Sequence, residues 1–251
     1  MYRSDERIVT VGDGNLSFTL ALARAFGSGA NLTATTLDDE SFLHGHYPGV
    51  ACTIDSLRAS GARVFHGVDA TKPELYDAVL DGAPPPQKIV FNFPHPGWPE
   101  NWSTTVPRTC ENSRIMIERH RALLRGFFEN CKVMIERTQH PAMEVHVTHN
   151  TSLLRVDRWE TVALGKECGF EHVGTHSFDA QPFQAHGYQN KYGVLKEGSP
   201  AWRINRRFAL NAAETDVFRR TTLGAWQRSG GRGCARRSAP SYLARPWRDH
   251  C

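Results

Sequence analysis

The feature that most constrains the fold is a regular alternation of strand-like and helix-like segments. Short runs of β-branched and other apolar residues recur along the chain, and helical segments that end at glycine separate several of them. A strand, a helix and a second strand in this order form a parallel crossover unit. The pattern therefore predicts an α/β fold, with a doubly wound and mostly parallel seven-stranded sheet. The predicted strands are residues 8–11, 31–38, 62–71, 88–94, 143–149, 170–178 and 201–210, and the predicted helices are 16–26, 48–60, 73–80, 111–135 and 157–168.

The charge distribution divides the chain into a body and a tail. The 251 residues carry a net charge of +4, but residues 211–251 contain eight Arg, no Lys and only three acidic residues. Residues 1–210 hold 22 basic and 23 acidic groups, so the body is almost neutral. The apolar periodicity also fades from about residue 212. We therefore predict a folded domain over residues 1–211 and a basic, Arg-rich, disordered tail over 212–251.

Cysteine usage and hydropathy indicate the kind of compartment. The six cysteines have no CxxC spacing, the N-terminal residues lack the apolar core of a signal peptide, and no window approaches about 18 uninterrupted apolar residues. We therefore expect a soluble protein with free thiols in a reducing compartment, without a membrane partner. The scattered histidines offer no convincing ligand set, so no metal is expected.

A glycine turn follows the first predicted strand. It comprises Gly12, Asp13, Gly14 and Asn15, with Ser17 where a dinucleotide fingerprint would have its third glycine. A dinucleotide, a phosphate and S-adenosylmethionine can each occupy such a turn, and a plain structural turn is a further alternative. A carboxylate at Asp13 would repel a pyrophosphate, whereas the ammonium and sulfonium groups of S-adenosylmethionine would tolerate it. This sequence favours S-adenosylmethionine as the cofactor.

Acidic residues follow the next two strands. Asp38, with Asp39 beside it, ends the second strand, and Asp69 lies at the end of the third. Ligands of doubly wound sheets bind at the carboxyl ends of the strands, where an acid often holds the ribose hydroxyls. We predict that Asp38 binds the ribose and that Asp69 reaches the adenine amino group. A solvated loop acid is the alternative for Asp38.

The fourth strand ends in Asn92, Phe93, Pro94 and His95. An Asn followed by an aromatic residue and proline resembles the signature of methyltransferases that act on nitrogen. The Asn amide can hold a planar amide or imide edge, and Phe93 or Trp98 can stack on a base. His95 is the first candidate for the base that accepts a proton. Alternatively, Phe93 belongs to the core, Pro94 ends the strand and His95 shapes the loop.

Taken in order, several segments resemble the eukaryotic large-subunit rRNA (uracil-N3) methyltransferase family. The resemblance spans about residues 7–210 and is carried by "VGDGNLSFTLALA", "LTATTLD", "VFHGVDAT", "IVFNFPH", "LLRGFF", "EVHVT" and "GYQNK". It implies a sheet of the class I S-adenosylmethionine methyltransferase type, and methylation of uridine N3 in rRNA. A nucleolar or cytoplasmic location follows from that substrate.

The chain departs from the family pattern at several positions. Asp13 stands where the family usually has Glu, and the loop after His95 is altered. His149 and Asn150 replace an apolar residue and a lysine. These changes leave open a non-catalytic RNA-binding module that keeps the fold. A nicotinamide-dependent oxidoreductase is a third alternative, which Asp13 and Ser17 disfavour.

Overall fold

The computed structural model describes residues 1–97, 114–151, 159–191, 210 and 212–221. These residues contain a seven-stranded sheet in the order β3-β2-β1-β4-β5-β7-β6. Neighbouring strands from β3 to β5 are parallel, whereas β7 is antiparallel to both of its neighbours. The predicted doubly wound, mostly parallel seven-stranded sheet is confirmed, with β7 as its antiparallel exception. The strands are β1 Ile8–Val11, β2 Leu32–Thr35, β3 Arg63–Phe65, β4 Lys88–Asn92, β5 Glu144–Asn150, β6 Phe170–Ser177 and β7 Ala213–Arg220.

Helices cover both faces of this sheet. They are α1 Ser17–Phe26, α2 Glu40–His46, α3 Val50–Ala59, α4 Pro73–Leu80, α5 Arg114–Thr138, α6 Thr161–Glu167 and α7 Gln181–Ala185. The short helices α2 and α7 were not predicted, because five to seven residues carry too little apolar periodicity. The amino end of α2 is capped by Asp39, whose carboxylate accepts a hydrogen bond from the Phe42 N–H at 2.7 Å.

Two hydrophobic cores form because alternate residues of a strand face opposite sides of the sheet. Val9 and Val11 of β1 point into a core with α4, α5 and α6. Ile8 points to the other side, where α1, α2, α3 and α7 pack. The same alternation in β4 sends Phe91 to the first core and Val90 to the second. These two layers hold the carboxyl ends of β1, β2 and β4 side by side at one edge.

The predicted domain boundary at residue 211 is wrong. Strand β7 begins at Ala213, pairs with β5 on one side and β6 on the other, and buries Phe218 completely. The predicted seventh strand at residues 201–210 falls mainly outside the described residues, as does the predicted tail from 222 onward. Residues 212–221 thus belong to the folded domain, which extends to Thr221. Charged residues obscured this strand in the sequence, since Glu214, Asp216 and Arg219 interrupt its apolar pattern.

No helix within the described ranges has the length and apolar character needed to cross a membrane.

Candidate functional site

The glycine turn lies at the carboxyl end of β1, as the sequence indicated. Gly12 has a φ of +62°, and a Cβ placed on it would come within 2.9 Å of the Phe91 ring. Both the conformation and the close approach therefore require glycine here. A Cβ on Gly14 would lie 3.3 Å from the hydroxyl of Tyr47, a buried residue that the sequence reasoning missed.

Asp13 serves helix α1 as well as the turn. One carboxylate oxygen accepts hydrogen bonds from the Thr19 N–H at 2.8 Å and the Thr19 hydroxyl at 2.6 Å. Desolvation raises the pKa of Asp13, although these hydrogen bonds oppose the shift. We expected this carboxylate to face the positive groups of a cofactor. The structure instead directs one of its oxygens to the first turn of α1.

Asn15 and Ser17 bind a distant segment of the chain. The Asn15 side-chain amide donates to the Gln189 carbonyl at 3.1 Å, and the Ser17 hydroxyl accepts from the Gln189 N–H at 3.0 Å. Next to these hydrogen bonds with Gln189, the buried Tyr188 packs against Phe18 with ring centroids 5.5 Å apart. Asn15 and Ser17, predicted to bind cofactor, are thus engaged in closing the "GYQNK" segment over the turn. Contacts across more than 170 residues leave no local signal that sequence reasoning could use.

The same hydrogen bonds bear on which ligand the turn suits. Asn15 Oδ1 accepts from the Ser17 N–H at 3.2 Å, and Asp13 accepts from that of Thr19. A pyrophosphate at the start of a helix depends on free backbone N–H groups there. Here the Asn15 and Asp13 side chains already accept hydrogen bonds from two of these N–H groups. This arrangement argues against the dinucleotide alternative.

The acids at the ends of β2 and β3 differ in the hydrogen bonds that their carboxylates accept from the protein. Asp39 caps α2, and Asp69 accepts hydrogen bonds from the backbone and hydroxyl of Thr71, both at 2.8 Å. Asp38 is half-buried, yet its carboxylate makes no hydrogen bond to any described residue. Desolvation, followed by the nearby Asp39, raises the pKa of Asp38. A partly desolvated carboxylate that accepts no hydrogen bond within the described part of the chain suits a ligand hydroxyl.

An exposed apolar side chain adjoins this acid. Leu37 is 62% exposed at the carboxyl end of β2. Its position directly before the acidic pair was the available sequence signal, which our reasoning did not use. Together, Leu37 and Asp38 present an apolar face next to a carboxylate, an arrangement that fits a purine nucleoside.

Asn92 ends β4 with its amide held in one orientation. Its Oδ1 accepts a hydrogen bond from the Thr148 hydroxyl at 2.6 Å, and Thr148 is joined to Thr215 of β7 at 2.9 Å. The neighbouring strands β5 and β7 thus position the amide. Its NH2 group makes no hydrogen bond that involves another described residue.

The two residues after Asn92 turn the chain sharply. Phe93 has a φ of +53°, an uncommon conformation for a residue with a side chain, and its N–H donates to the Thr148 carbonyl at 2.8 Å. Its ring packs edge-on against Phe178 in the core that contains α1. Phe93 therefore has the core contact that we considered as an alternative to base stacking, and Pro94 is also buried.

His95 is exposed, and its ring is tethered to its own loop. The Gly97 N–H donates to His95 Nδ1 at 3.1 Å, and Arg119 of α5 donates to the Pro96 carbonyl at 2.9 Å. The loop is therefore clamped against α5 within the described residues. Trp98, the other candidate for stacking on a base, lies outside them.

Behind His95 lies a buried cluster of aromatic rings that the sequence analysis did not anticipate. His120 stacks on Trp159 at 3.9 Å, and His149 meets the same indole at 5.5 Å. His149 Nε2 lies 3.0 Å from the Thr161 hydroxyl. Burial lowers the pKa of both His120 and His149 to about 4. The departure from the family pattern at His149 therefore lies in the protein interior. Both imidazole rings are neutral at physiological pH.

No group of three or more His, Cys, Asp or Glu side chains in the described part of the chain is arranged to hold a metal ion.

Two solved structures have a similar fold. TrmN from Thermus thermophilus has a TM-score of 0.46 and 17% identity, over 87% of this chain and 45% of that one. The 16S rRNA methyltransferase KamB has a TM-score of 0.42 and 13% identity, over 87% and 89% of the two chains.

Relatives are also found by sequence. The chain is 36% identical to the Arabidopsis thaliana protein At4g26485 over 220 residues, covering 86% of this chain and 94% of that protein. It is 29% identical to heavy metal-associated isoprenylated plant protein 41 of the same species, and spans 38% of that protein's length. It is 28% identical to the mouse ferredoxin-fold anticodon-binding domain-containing protein 1 homolog, and spans 34% of its length.

The sequence pattern of a family described as rRNA (uridine-N3-)-methyltransferase BTM5-like matches residues 9–192. The match runs from β1 through the "GYQNK" segment and includes the glycine turn, Asp38 and Asn92. The chain therefore belongs to the BMT5-like family of RNA methyltransferases.

Proposed function

We propose that this protein uses S-adenosylmethionine to methylate N3 of a uridine in ribosomal RNA. The observation that carries the proposal is that the carboxylates of the four acids near the site differ in their hydrogen bonding to the protein. Protein groups bind the carboxylates of Asp13, Asp39 and Asp69, whereas the carboxylate of the half-buried Asp38 accepts no hydrogen bond from a described residue. Such a carboxylate at the end of β2 suits the ribose of a nucleoside cofactor.

The residues at this edge fit the proposed cofactor. Asp38 would accept hydrogen bonds from the ribose hydroxyls, and Leu37 would contact the adenine face. The backbone of the Gly12–Gly14 turn would approach the cofactor closely, because Gly14 carries no side chain there. When bound, S-adenosylmethionine supplies an electrophilic methyl group on a sulfonium. We also propose that Asp69, at the end of β3, reaches the adenine amino group.

The end of β4 would receive the target base. Strands β1 and β4 are neighbours, so Asn92 lies across the carboxyl edge from the glycine turn. The amide of Asn92 is already oriented by Thr148 and would hold the imide edge of uracil. Fixed placement of the nitrogen in line with the methyl group is the main contribution that a protein can make to such a transfer. An rRNA substrate would place the protein in the nucleolus or the cytoplasm.

Methyl transfer to RNA tests the proposal directly. Purified protein is incubated with methyl-labelled S-adenosylmethionine and unmodified rRNA, and the RNA is digested for nucleoside analysis. We expect the label in 3-methyluridine, with cofactor binding seen separately by calorimetry. Label on a ribose oxygen or an adenine nitrogen would reject the uridine assignment. Cofactor binding without transfer to any RNA would instead support the non-catalytic RNA-binding alternative.

A further inference from the structure

We propose that Thr148 and Thr215 are positioning residues for methyl transfer, whose buried hydroxyl groups orient the Asn92 amide so that its NH2 group donates to a carbonyl oxygen of the target base. Strand β7, which the sequence analysis did not predict, would then take part in the choice of the base. The inference rests on the proposed function, because it concerns how the same site presents Asn92 to uracil.

The three side chains form a polar ladder across three neighbouring strands. Asn92 of β4 is paired in register with Thr148 of β5, and Thr148 is paired with Thr215 of β7. The Thr148 hydroxyl lies 2.6 Å from Asn92 Oδ1 and 2.9 Å from the Thr215 hydroxyl. Both threonines have an exposed fraction of 0%, so water does not compete for these hydrogen bonds. The ladder therefore connects the interior of the sheet to the carboxyl end of β4.

The distances fix the direction of the hydrogen bonds in the ladder. A separation of 2.6 Å suits a hydroxyl donor and a carbonyl acceptor, whereas N–H donors stay beyond about 2.7 Å. It is therefore Oδ1 of Asn92, and not its nitrogen, that faces Thr148. A threonine hydroxyl has a single proton, which Thr148 uses in this bond. The proton between the two threonines must then come from Thr215.

This arrangement leaves the NH2 end of the Asn92 amide for a ligand. An amide NH2 group donates and cannot accept, and among the described residues nothing accepts from that of Asn92. Asn92 is half-buried, so a base at the carboxyl edge of the sheet can reach it. Strand β4 pairs with β1, which ends at the glycine turn. A base held by Asn92 would thus lie beside the proposed cofactor.

The direction of the ladder bears on which base is selected. Uracil N3 lies between two carbonyl oxygens, and each of them can accept a hydrogen bond from the Asn92 NH2 group. Adenine N6 and cytosine N4 instead belong to amino groups, which would meet this donor with another donor. An amide turned the other way would present Oδ1 and would favour an amino group. The two threonines therefore favour a ring nitrogen beside a carbonyl.

The ladder can be altered without disturbing the turn that follows Asn92. The Phe93 N–H donates to the main-chain carbonyl of Thr148 at 2.8 Å, and a change of the Thr148 side chain leaves that carbonyl in place. Valine has nearly the shape of threonine and lacks only the hydroxyl. Replacement of both threonines removes a buried donor and its acceptor together, which is nearly neutral for stability when the shape is kept. The variant Thr148→Val/Thr215→Val should therefore melt close to the native temperature.

Methyl transfer to uridine by these variants tests the positioning role. Thr148→Val should lower kcat by about tenfold to 100-fold, because the amide is no longer held in place near the reacting atoms. Thr148→Ser keeps the hydroxyl and should restore most of this loss, whereas Thr215→Val should lose less than Thr148→Val. The affinity for S-adenosylmethionine, measured by calorimetry, should not change. Thr33→Val removes another buried threonine hydroxyl, in β2 and outside the ladder, and should keep the native kcat.

A double-mutant cycle shows whether Thr148 acts through the amide. Asn92→Ala should lower kcat by about 100-fold, as for the loss of other active-site donors. Addition of Thr148→Val to this variant should then cost nothing further. A threonine with a merely structural role would lower kcat by the same factor in both backgrounds. That additive result, or a fully active Thr148→Val, would overturn the positioning role. Absence of any methyl transfer to uridine by the native enzyme would overturn the proposed function as well, and is a distinct result.

Discussion

At the residue scale, four aspartates that look alike in the sequence have different roles. Asp13 binds the first turn of α1, Asp39 caps α2 and Asp69 organises the backbone before α4. Asp38 alone among these four makes no hydrogen bond to the described protein through its carboxylate. A residue's type indicates which bonds it can form, but only its neighbours decide whether a ligand or the protein satisfies them.

Asp38 and the adjacent Asp39 form a matched pair for testing the proposed cofactor site. Asp38→Asn should weaken S-adenosylmethionine binding by about 1–3 kcal/mol, because ribose hydroxyls lose a charged acceptor. Asp39→Asn should leave the affinity nearly unchanged and alter only thermal stability, since its carboxylate serves the α2 cap. Isothermal titration calorimetry measures the affinities. Equal loss of affinity in both variants would contradict the assignment of Asp38.

His149 provides a prediction about stability and pH. Its pKa is about 4 in the folded protein and 6.5 in the reference state, so the unfolded chain binds this proton first as the pH falls. Stability is therefore lost between about pH 6.5 and 4, by about 3 kcal/mol for a shift of this size. His149→Leu should remove that part of the pH dependence in urea unfolding experiments. His176→Gln, at an exposed position on β6, is the control and should leave the slope unchanged.

At the element scale, β7 shows how charged residues can conceal a central strand. Asp216 and Arg219 lie within it, yet Val217 and Phe218 are buried. The Phe218 ring packs edge-on against Phe128 of α5 at 5.0 Å. Because β7 lies between β5 and β6, its charged side chains are accommodated by partners on those strands, such as His172 for Asp216 at 3.0 Å.

Truncation distinguishes this strand from the residues that follow it. Removal of residues 212–251 should abolish cooperative thermal unfolding, since β5 and β6 both lose their neighbour. This expectation differs from the sequence-based prediction of a disordered tail over residues 212–251, whose loss would leave the folded domain intact. Removal of 222–251 alone keeps every described strand and should preserve a cooperative transition, as followed by circular dichroism. A cooperative transition in the longer deletion would contradict the role given to β7.

At the scale of the whole molecule, an ion cluster joins the N-terminal residues to the sheet. Lys88 of β4 lies 2.9 Å from Glu6 and 3.8 Å from Glu144 of β5, and Arg219 of β7 also pairs with Glu144. His146 is 3.1 Å from the same carboxylate. A hydrogen bond from His146, with further help from Arg219 and Lys88, lowers the pKa of Glu144 to about 2. The cluster lies at the end of the sheet opposite the candidate site.

Glu144 should therefore influence stability in acid without affecting methyl transfer. The pKa of Glu144 is 4.5 in the unfolded reference state and about 2 in the folded protein. The ionised carboxylate therefore stabilises the fold at pH values above 4.5, and this contribution is lost as the pH falls toward about 2. Glu144→Gln should cost on the order of 1–2 kcal/mol at pH 7, with partial exposure taken into account, and should weaken the decline below pH 4.5. Glu118→Gln, in an exposed pair with Arg114, is the control. Unchanged stability at pH 7 in Glu144→Gln would contradict this account.

The sequence by itself determined the class of fold and the edge where the site lies. Runs of apolar residues define β1, β2, β4 and β5 locally, and the polar residues that follow them must meet because parallel strands end at one edge. Gly12 was also readable, since a left-handed turn between a strand and a helix favours glycine. These features depend on residues that are close in the chain.

Only the tertiary structure decided how individual side chains are used. Three features join residues that are far apart in the chain. They are the hydrogen bond between Asn15 and Gln189, the Thr148 hydrogen bond that orients the Asn92 amide, and the place of β7 between β5 and β6. Hydrogen bonding depends on distances of a few tenths of an ångström and on which partner arrives, and neither has a local signature in the sequence. For the same reason Asp13 and Asp38 could not be told apart until their neighbours were placed.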